Sequence, residues 1–126
     1  MNKIRALVVD DEPLARERVL SLLQQETDVE VVAECSDGGQ AVSAIQHHLP
    51  DLVFLDVQMP EMDGYEAARS IRARWSSNER ARPRMIAMTS DAMPGVRELC
   101  LEAGMDDYLT KPVSIEALQT ALERWA

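Results

Sequence analysis

The sequence predicts an α/β fold in which one parallel sheet of five strands carries helices on both faces. Short apolar runs alternate five times with helical patterns along the 126 residues, and this alternation is typical of βαβ units. The first, third and fourth runs are the most apolar, as central strands are, whereas the second and fifth are more polar. The strand order 2-1-3-4-5 fits this pattern with right-handed crossovers, so we expect a doubly wound sheet.

Each strand and each helix has its own signal. Apolar or alternating runs predict the strands Ile4–Val9, Val29–Glu34, Leu52–Leu55, Met85–Met88 and Asp106–Leu109. Apolar residues at helical spacing predict the five helices: Ala15, Val19, Leu22 and Leu23; Ala41, Ile45 and Leu49; Ala68, Ile71 and Trp75; Val96, Leu99, Cys100 and Ala103; and Ile115, Leu118, Leu122 and Trp125.

Turn and capping residues mark the ends of these elements. Pro13 suits the first position of the first helix. The segment Ser36–Gly39 predicts a turn that supplies the N-cap of the second helix. Turns are expected within Met59–Gly64, and the polar segment Ser76–Arg82 predicts an exposed loop. Gly104 stands where a glycine often ends a helix, after the fourth apolar stripe.

Length and composition limit the class of protein. A chain of 126 residues, 46% hydrophobic and 28% charged, predicts one globular domain over residues 1–126. The net charge of −9 argues against direct nucleic-acid binding. Cys35 and Cys100 fit no metal or redox spacing, and we interpret them as small core residues of a reduced compartment. No signal peptide or apolar stretch long enough to span a bilayer is present, so we expect a cytoplasmic protein without membrane contact.

Polar residues follow the predicted strands at the carboxyl edge of the sheet, where doubly wound folds bind ligands. Asp10 and Asp11 follow the first strand, Asp56 the third, Thr89 the fourth and Lys111 the fifth. Three neighbouring carboxylates repel one another, and Mg²⁺ would relieve the repulsion while accepting a phosphate oxygen. Lys111 and Thr89 offer a positive charge and a hydroxyl donor to a phosphoryl group. Asp56, which we expect exposed on a loop beside the core, could be the covalent acceptor.

Four segments carry a resemblance to a known family: LVVDDEP, PDLVFLDVQMPEMDGYEAAR, IAMTSDA and AGMDDYLTKPV. In this order and spacing they resemble the receiver domain of bacterial two-component response regulators, over essentially the whole chain. The segment RALVVDDEPLARERV is most similar to regulators with a LytTR-type DNA-binding domain. The segment IAMTSDAMPGVRELCLEAGMDDYLTKPVS is most similar to receivers of hybrid sensor kinases. The resemblance implies a flavodoxin-like (βα)5 fold and a regulatory domain rather than an enzyme with turnover.

The resemblance also implies a chemistry for the acidic residues. Asp56 would accept a phosphoryl group from a phosphohistidine on a histidine kinase or a histidine phosphotransfer protein. Asp11, Asp56 and the backbone carbonyl of Gln58 would ligate Mg²⁺, and Asp10 would act through a water molecule.

A switch follows from the same resemblance. Lys111, joined to Pro112 by a cis peptide bond, would pair with the phosphoryl oxygen and with Asp56. Thr89 would turn toward the phosphoryl group, and the ring of Tyr108 would turn inward. The face made by the fourth helix, fifth strand and fifth helix would then change its affinity for an output partner, or for a second copy in a phosphorylation-dependent homodimer. The positions of Gln58 and Asp91, which flank the expected phosphoryl site, would affect the rate of dephosphorylation.

Simpler interpretations of the same residues stay open from the sequence. Asp10 and Asp11 could be an acidic helix start, and Asp56 could be a turn residue. Thr89 could be a helix N-cap, and Lys111 could be a solvated lysine. A tyrosine on an edge strand, such as Tyr108, is often amphipathic packing.

Two other functions compete with the switch. One is a Mg²⁺-dependent aspartyl-phosphate phosphatase or phosphotransferase; such enzymes usually have a second aspartate where this chain has Gln58, and a cap domain for which 126 residues leave no room. The other is a receiver that binds partners without phosphorylation, which the complete set of key residues disfavours. The sequence leaves open whether the domain stands alone or comes from a longer protein.

Overall fold

The computed structural model describes residues 3–58, 64–75, 77, 82–90 and 95–125. The turns predicted before Gly64, most of the loop predicted at Ser76–Arg82, and Asp91 lie outside these residues. The strands are β1 (Ile4–Val9), β2 (Val29–Cys35), β3 (Leu52–Asp56), β4 (Arg84–Thr89) and β5 (Asp107–Thr110). The helices are α1 (Pro13–Gln24), α2 (Gly38–His48), α3 (Gly64–Arg74), α4 (Val96–Glu102) and α5 (Ile115–Trp125).

The five strands form one parallel sheet in the order β2-β1-β3-β4-β5, which confirms the predicted topology. The register brings the carboxyl ends of the central strands to one edge. Val9 lies opposite Leu55, and Asp56 lies opposite Met88. Residues that directly follow β1 and β3 therefore meet at the point where the strand order reverses.

Alternate residues of the central strands pack on opposite faces of the sheet, because successive side chains of a strand point to opposite sides. One face, which includes Leu7, Val53 and Met85, packs against α2, α3 and α4. The other face, which includes Val8 and Phe54, packs against α1 and α5. All five residues of β3 are buried, as expected for the middle of a sheet that is covered on both sides.

The predicted caps are confirmed where the chain is described. Pro13 is the first residue of α1, and the side chain of Asp37 accepts a hydrogen bond from the backbone N–H of Gln40 at the start of α2. Gly104 has a φ of +99° after the end of α4. The N–H of Met105 donates to the carbonyl of Cys100, so the helix ends in a Schellman motif.

Two leucines predicted to be buried are exposed. Leu49 is 61% exposed because α2 ends at His48 and Leu49 adopts the left-handed conformation as the C-cap. Leu99 is 53% exposed because the short helix α4 buries only a narrow stripe, formed by Val96 and Cys100. Both leucines continue the helical spacing of apolar residues in the sequence, but both are exposed in the folded chain.

The bounds of β1 are as predicted, and each end of another strand that differs from the prediction does so by one residue. β5 starts at Asp107, one residue after the predicted Asp106. The carboxylate of Asp106 accepts a hydrogen bond from the N–H of Met85 on the neighbouring strand β4. It also pairs with both terminal nitrogens of the buried Arg82, each at 2.9 Å. This contact lies at the amino edge of the sheet, opposite the carboxyl edge. Among the described residues, no helix has the length and apolar character needed to cross a bilayer.

Candidate functional site

The three predicted carboxylates meet at the carboxyl edge of the sheet. Asp10 and Asp11 follow the last residue of β1, and Asp56 is the last residue of the neighbouring strand β3. One carboxylate oxygen from each residue lies within 4.8 Å of the others. Asp10 and Asp56 are 0% and 2% exposed, whereas Asp11 is exposed, so the cluster opens to solvent on the Asp11 side.

The expected exposure of Asp56 is wrong. Asp56 still belongs to β3, where it pairs with Met88, and the N–H of the next residue, Val57, donates to the carbonyl of Met88. The backbone of Gly64, the first residue of α3, also packs against it. The sheet continues past the apolar run, so Asp56 is a buried strand residue and not an exposed loop residue.

Gly64 was expected only as a turn residue, yet it shapes the site. A Cβ atom at this position would lie 2.3 Å from the carbonyl oxygen of Asp56 and 2.6 Å from the Cα of Val57. Both distances are shorter than any normal contact, so only glycine lets α3 approach the end of β3. The sequence signal was a glycine at a helix start, which by itself is too common to indicate a site.

Lys111 reaches the cluster from the loop after β5. Its Nζ lies 2.8 Å from Oδ2 of Asp10 and 3.5 Å from Oδ1 of Asp56. Its backbone N–H donates to the carbonyl of Thr89, and its bond to Pro112 is cis, as expected. Lys111 is therefore not a solvated surface lysine, and its nearer partner is Asp10 rather than the expected Asp56.

The electrostatics of Asp56 and Lys111 reflect this crowding. Burial raises the pKa of Asp56 to about 7; the nearby Asp10 raises it too, and the hydrogen bond from the backbone N–H of Gln58 and the charge of Lys111 offset part of the rise. Burial by itself lowers the pKa of Lys111, but its contacts with Asp10 and Asp56 more than offset this and leave the pKa above its ordinary value. One ammonium thus neutralises three carboxylates only in part.

The donor set fits a hard divalent cation. All three groups offer carboxylate oxygens, the ligands that Mg²⁺ prefers, and the open side at Asp11 leaves room for water or a phosphate oxygen. Oδ2 of Asp10 already has the ammonium of Lys111 at 2.8 Å, but a single ammonium faces three carboxylates. A divalent cation would supply the positive charge that this cluster still lacks.

The remaining predicted residues surround the cluster. The backbone N–H of Gln58 donates to Oδ1 of Asp56 at 3.0 Å, and its side-chain oxygen accepts a hydrogen bond from the hydroxyl of Ser90 at 2.8 Å. Thr89 is buried at the end of β4, and it is not an N-cap, because α4 begins at Val96. The ring of Tyr108 is half-buried on the edge strand and packs against the core below α4.

A shallow groove of about 390 Å³ lies beside the cluster. It runs between the start of α1 and the loop after β5, and its lining includes Leu14, Arg18, Lys111 and Val113. Leu14 is 75% exposed, which is unusual for a leucine next to a polar site. Sequence patterns missed this groove because Leu14 lies outside the buried stripe of α1.

Two curated relatives match nearly the whole chain. The sensor protein GacS of Pseudomonas syringae pv. syringae is 40% identical over 121 residues, which cover 96% of this chain and 13% of GacS. The transcriptional regulatory protein BtsR of Salmonella typhi is 36% identical over 121 residues, which cover 96% of this chain and 47% of BtsR. The chain therefore spans less than half the length of either relative.

Solved structures agree with this comparison. The receiver domain of the sensor histidine kinase PA1611 from Pseudomonas aeruginosa PAO1, with a magnesium ion coordinated in its active site cleft, superposes with a TM-score of 0.82 at 37% identity, over 98% of this chain and 97% of that one. The receiver domain of the Saccharomyces cerevisiae response regulator Ssk1, crystallised with the histidine phosphotransfer protein Ypd1, gives a TM-score of 0.87 at 28% identity, over 98% and 89%.

The part of the chain that matches a known family includes both the sheet and the acidic cluster. The description "response regulator receiver domain" matches residues 6–123, from β1 into α5. This chain belongs to the family of response regulator receiver domains of two-component systems.

Proposed function

We propose that the chain is a phosphoryl-accepting switch in which Asp56 is the acceptor. The observation that carries this proposal is the position of Asp56, enclosed at the switch point of the sheet between two further carboxylates and the ammonium of Lys111. A buried carboxylate with three charged neighbours is costly to the fold, and such a cost is typical of a functional site.

The proposed reaction is a transfer between two covalent sites. A carboxylate oxygen of Asp56 attacks the phosphorus of a phosphohistidine on the partner, and an O–P bond forms as the P–N bond breaks. The bonding electron pair leaves with the imidazole nitrogen, which then takes up a proton. Asp56 becomes an acyl phosphate, and the partner regains a neutral histidine.

The residues around Asp56 have separate roles in this proposal. Bound Mg²⁺ would supply positive charge to the oxygens of the transferring phosphoryl group. Asp11, Asp56 and the backbone carbonyl of Gln58 would hold it directly, and Asp10 would hold it through water. Lys111 is already within reach of Asp10 and Asp56, so its ammonium can follow the added charge on Asp56 without a large movement.

Thr89 and Tyr108 form the proposed route to the output. Thr89 ends β4 next to Asp56 on β3, and its hydroxyl would turn toward the phosphoryl group. Tyr108, paired with Ala87 on the neighbouring strand, would turn inward in response. The face made by α4, β5 and α5 would then change its affinity for an output partner or for a second copy of the chain. Phosphorylation thus biases an equilibrium between two states.

The groove at Leu14 is the proposed docking site of the phosphohistidine partner. It is lined by apolar side chains of α1 and of the loop after β5, and Lys111 belongs to its wall. A helix laid on Leu14 would hold a histidine over the open side of the acidic cluster. The Ssk1 receiver domain, which has the same fold, was crystallised with a histidine phosphotransfer protein.

The site favours a switch over an enzyme that hydrolyses phosphate esters. A phosphatase of the aspartyl-phosphate type usually has a second aspartate, two positions after the acceptor, as its general acid, and the amide of Gln58 at that position cannot supply a proton. The switch has a simple test: incubation with acetyl phosphate and Mg²⁺, followed by intact-mass measurement. We expect one added phosphoryl group in the native chain and none in Asp56→Asn. Steady turnover of small phosphate esters would instead support a phosphatase, and an unmodified chain would support partner binding without phosphorylation.

A further inference from the structure

Arg16 on α1 donates a hydrogen bond to the backbone carbonyl of Asp10 at 2.7 Å, and its Nε lies 3.2 Å from a carboxylate oxygen of Glu34 on β2. The side chain of Arg16 is 19% exposed. It is thus fixed at two points between the loop after β1 and the neighbouring edge strand.

The carbonyl that Arg16 binds belongs to the peptide group that joins Asp10 to Asp11. The pairing of β1 with β3 ends at Val9 and Leu55, so this carbonyl lies beyond the sheet ladder. A buried carbonyl at the end of a strand needs another donor. Side chains of a helix point toward its amino end, so Arg16, in the first turn of α1, reaches back to supply one.

The two cations near the cluster act at different atoms. Lys111 lies against carboxylate oxygens of Asp10 and Asp56, the same kind of oxygen that a metal ion would bind. Arg16 binds a main-chain oxygen and leaves the carboxylates available. Its guanidinium stays charged at every relevant pH, and its ion pair is with Glu34 and not with a carboxylate of the cluster.

We propose that Arg16 is a positioning residue for the cation site, because it sets the orientation of the Asp10–Asp11 peptide group and so the direction of the Asp11 carboxylate. This inference rests on the proposed function, which requires a cation at the cluster. Groups that orient metal ligands from outside the coordination shell typically change metal affinity by about 10- to 100-fold. A guanidinium on a main-chain oxygen belongs at the lower end of that range.

The test compares Mg²⁺ dissociation constants, measured by NMR titration, for the native chain, Arg16→Met and Arg5→Met. Arg5 is the control, because its guanidinium also donates to a main-chain carbonyl, that of His48 at 2.6 Å, but it lies near the start of β1, at the amino edge of the sheet. We expect Arg16→Met to bind Mg²⁺ about tenfold more weakly. Arg5→Met should stay within about twofold of the native chain. Equal weakening in both variants, or none in Arg16→Met, would overturn the inference.

Two further measurements separate positioning from a general loss of structure. In the metal-free protein, the amide signals of Asp11 and Glu12 should shift in Arg16→Met and stay in place in Arg5→Met; unmoved signals in the first variant would overturn positioning. Arg16→Lys, which keeps the charge and one donor, should recover at least half of the lost affinity on a logarithmic scale, and no recovery would count against the inference. If Arg16→Met does not fold, Arg16→Gln takes its place. We expect this variant to bind Mg²⁺ more weakly than the native chain, by up to about tenfold, and unchanged binding would contradict the inference.

The native titration also distinguishes the two proposals. A native chain that binds no Mg²⁺ would overturn the proposed function, and this inference with it. A native chain that binds Mg²⁺ as well as Arg16→Met does would overturn only the role of Arg16.

Discussion

The ammonium of Lys111 lies 2.8 Å from Oδ2 of Asp10, a carboxylate whose residue is completely buried. Among the described residues, Lys111 is the cation that contacts the carboxylates of the cluster when no metal ion is bound. Removing it would leave buried carboxylates without a counter-charge, which is costly even when one of them takes up a proton.

Lys111→Ala should therefore destabilise the metal-free protein by about 2–3 kcal/mol. Saturating Mg²⁺ should recover most of the loss, because the metal ion supplies the missing positive charge. Urea unfolding with EDTA and with Mg²⁺ measures both quantities. Lys3→Ala, which removes an exposed lysine, is the control and should change little. A loss that Mg²⁺ does not recover would show that Lys111 supports the loop rather than the charge balance.

Asp56→Asn should stabilise the metal-free protein above neutral pH. The folded pKa of Asp56, about 7, exceeds the unfolded value of about 3.9. The stability that Asp56 contributes is therefore fully present below pH of about 4 and is lost as the pH rises through about 7. Asparagine has no such loss. The free energy of unfolding of Asp56→Asn should therefore exceed that of the native chain only slightly near pH 4 and by about 2 kcal/mol above pH 7.

Urea unfolding across this pH range checks the curve. The value of about 2 kcal/mol is below the full linkage energy, because the ionisation of Asp56 is coupled to its charged surroundings. Asp28→Asn, at an exposed position, is the control and should give a flat difference. An advantage for Asp56→Asn that falls with rising pH would contradict the burial of this carboxylate.

Gly64→Ala should damage both stability and the site. The new methyl group would lie 2.3 Å from the carbonyl oxygen of Asp56, so α3 must move away from the end of β3. We expect a loss of about 2–4 kcal/mol, together with slower phosphorylation by acetyl phosphate. Thermal unfolding and intact-mass kinetics measure the two effects.

Gly39→Ala is the matched control for that substitution. Gly39 also lies in the first turn of a helix, but a Cβ there would meet its nearest atom, Oδ1 of Asp37, at 3.4 Å. Alanine should stabilise this position by up to about 1 kcal/mol, because it lowers the entropy of the unfolded chain. Similar losses at both glycines would mean that the contact with Asp56 is not the cause.

Leu14→Glu should separate docking from chemistry. The exposed leucine lies in the groove beside the cluster. Its apolar side chain can form neither a hydrogen bond nor an ion pair with the three carboxylates. Transfer from a phosphorylated histidine phosphotransfer protein should slow by at least about fivefold, since losing a central apolar anchor costs more than about 1 kcal/mol. Phosphorylation by acetyl phosphate, which needs no docking, should stay within about twofold.

Leu49→Asn controls for the loss of an exposed leucine elsewhere. Leu49 is 61% exposed at the end of α2 and has a φ of +49°, which asparagine tolerates well. The Leu49→Asn variant should accept the phosphoryl group at the native rate from either donor. Equal slowing by Leu14→Glu with both donors would place the leucine in the chemistry instead of the docking surface.

The strand order and the convergence of the acidic residues follow from the sequence because both depend on patterns along the chain. Apolar strands belong in the centre of a sheet, and the carboxyl ends of parallel strands share an edge. These two rules already bring Asp10 and Asp56 together. The pairing of Lys111 with the cluster follows from the same reasoning, since it comes directly after β5.

Contacts between side chains from distant segments did not follow from the sequence. The close approach of α3 to the end of β3 depends on the absence of a side chain at Gly64, and the preference of Lys111 for Asp10 depends on a difference of less than 1 Å between two distances. The sequence could not indicate Arg16 as a site residue, because its partner is a backbone carbonyl, which every residue carries. Helical spacing likewise could not show that Leu99 lies outside the packed stripe.

The central claim is that Asp56 receives the phosphoryl group, and its most direct test is a map of the modified residue. The chain is incubated with acetyl phosphate and Mg²⁺, then treated with borohydride, which reduces an aspartyl phosphate to homoserine, and its peptides are sequenced by mass spectrometry. The proposed function predicts homoserine at position 56 alone, and none when Mg²⁺ is withheld. Homoserine at position 10 or 11, or a phosphorylated chain with aspartate intact at position 56, would contradict it.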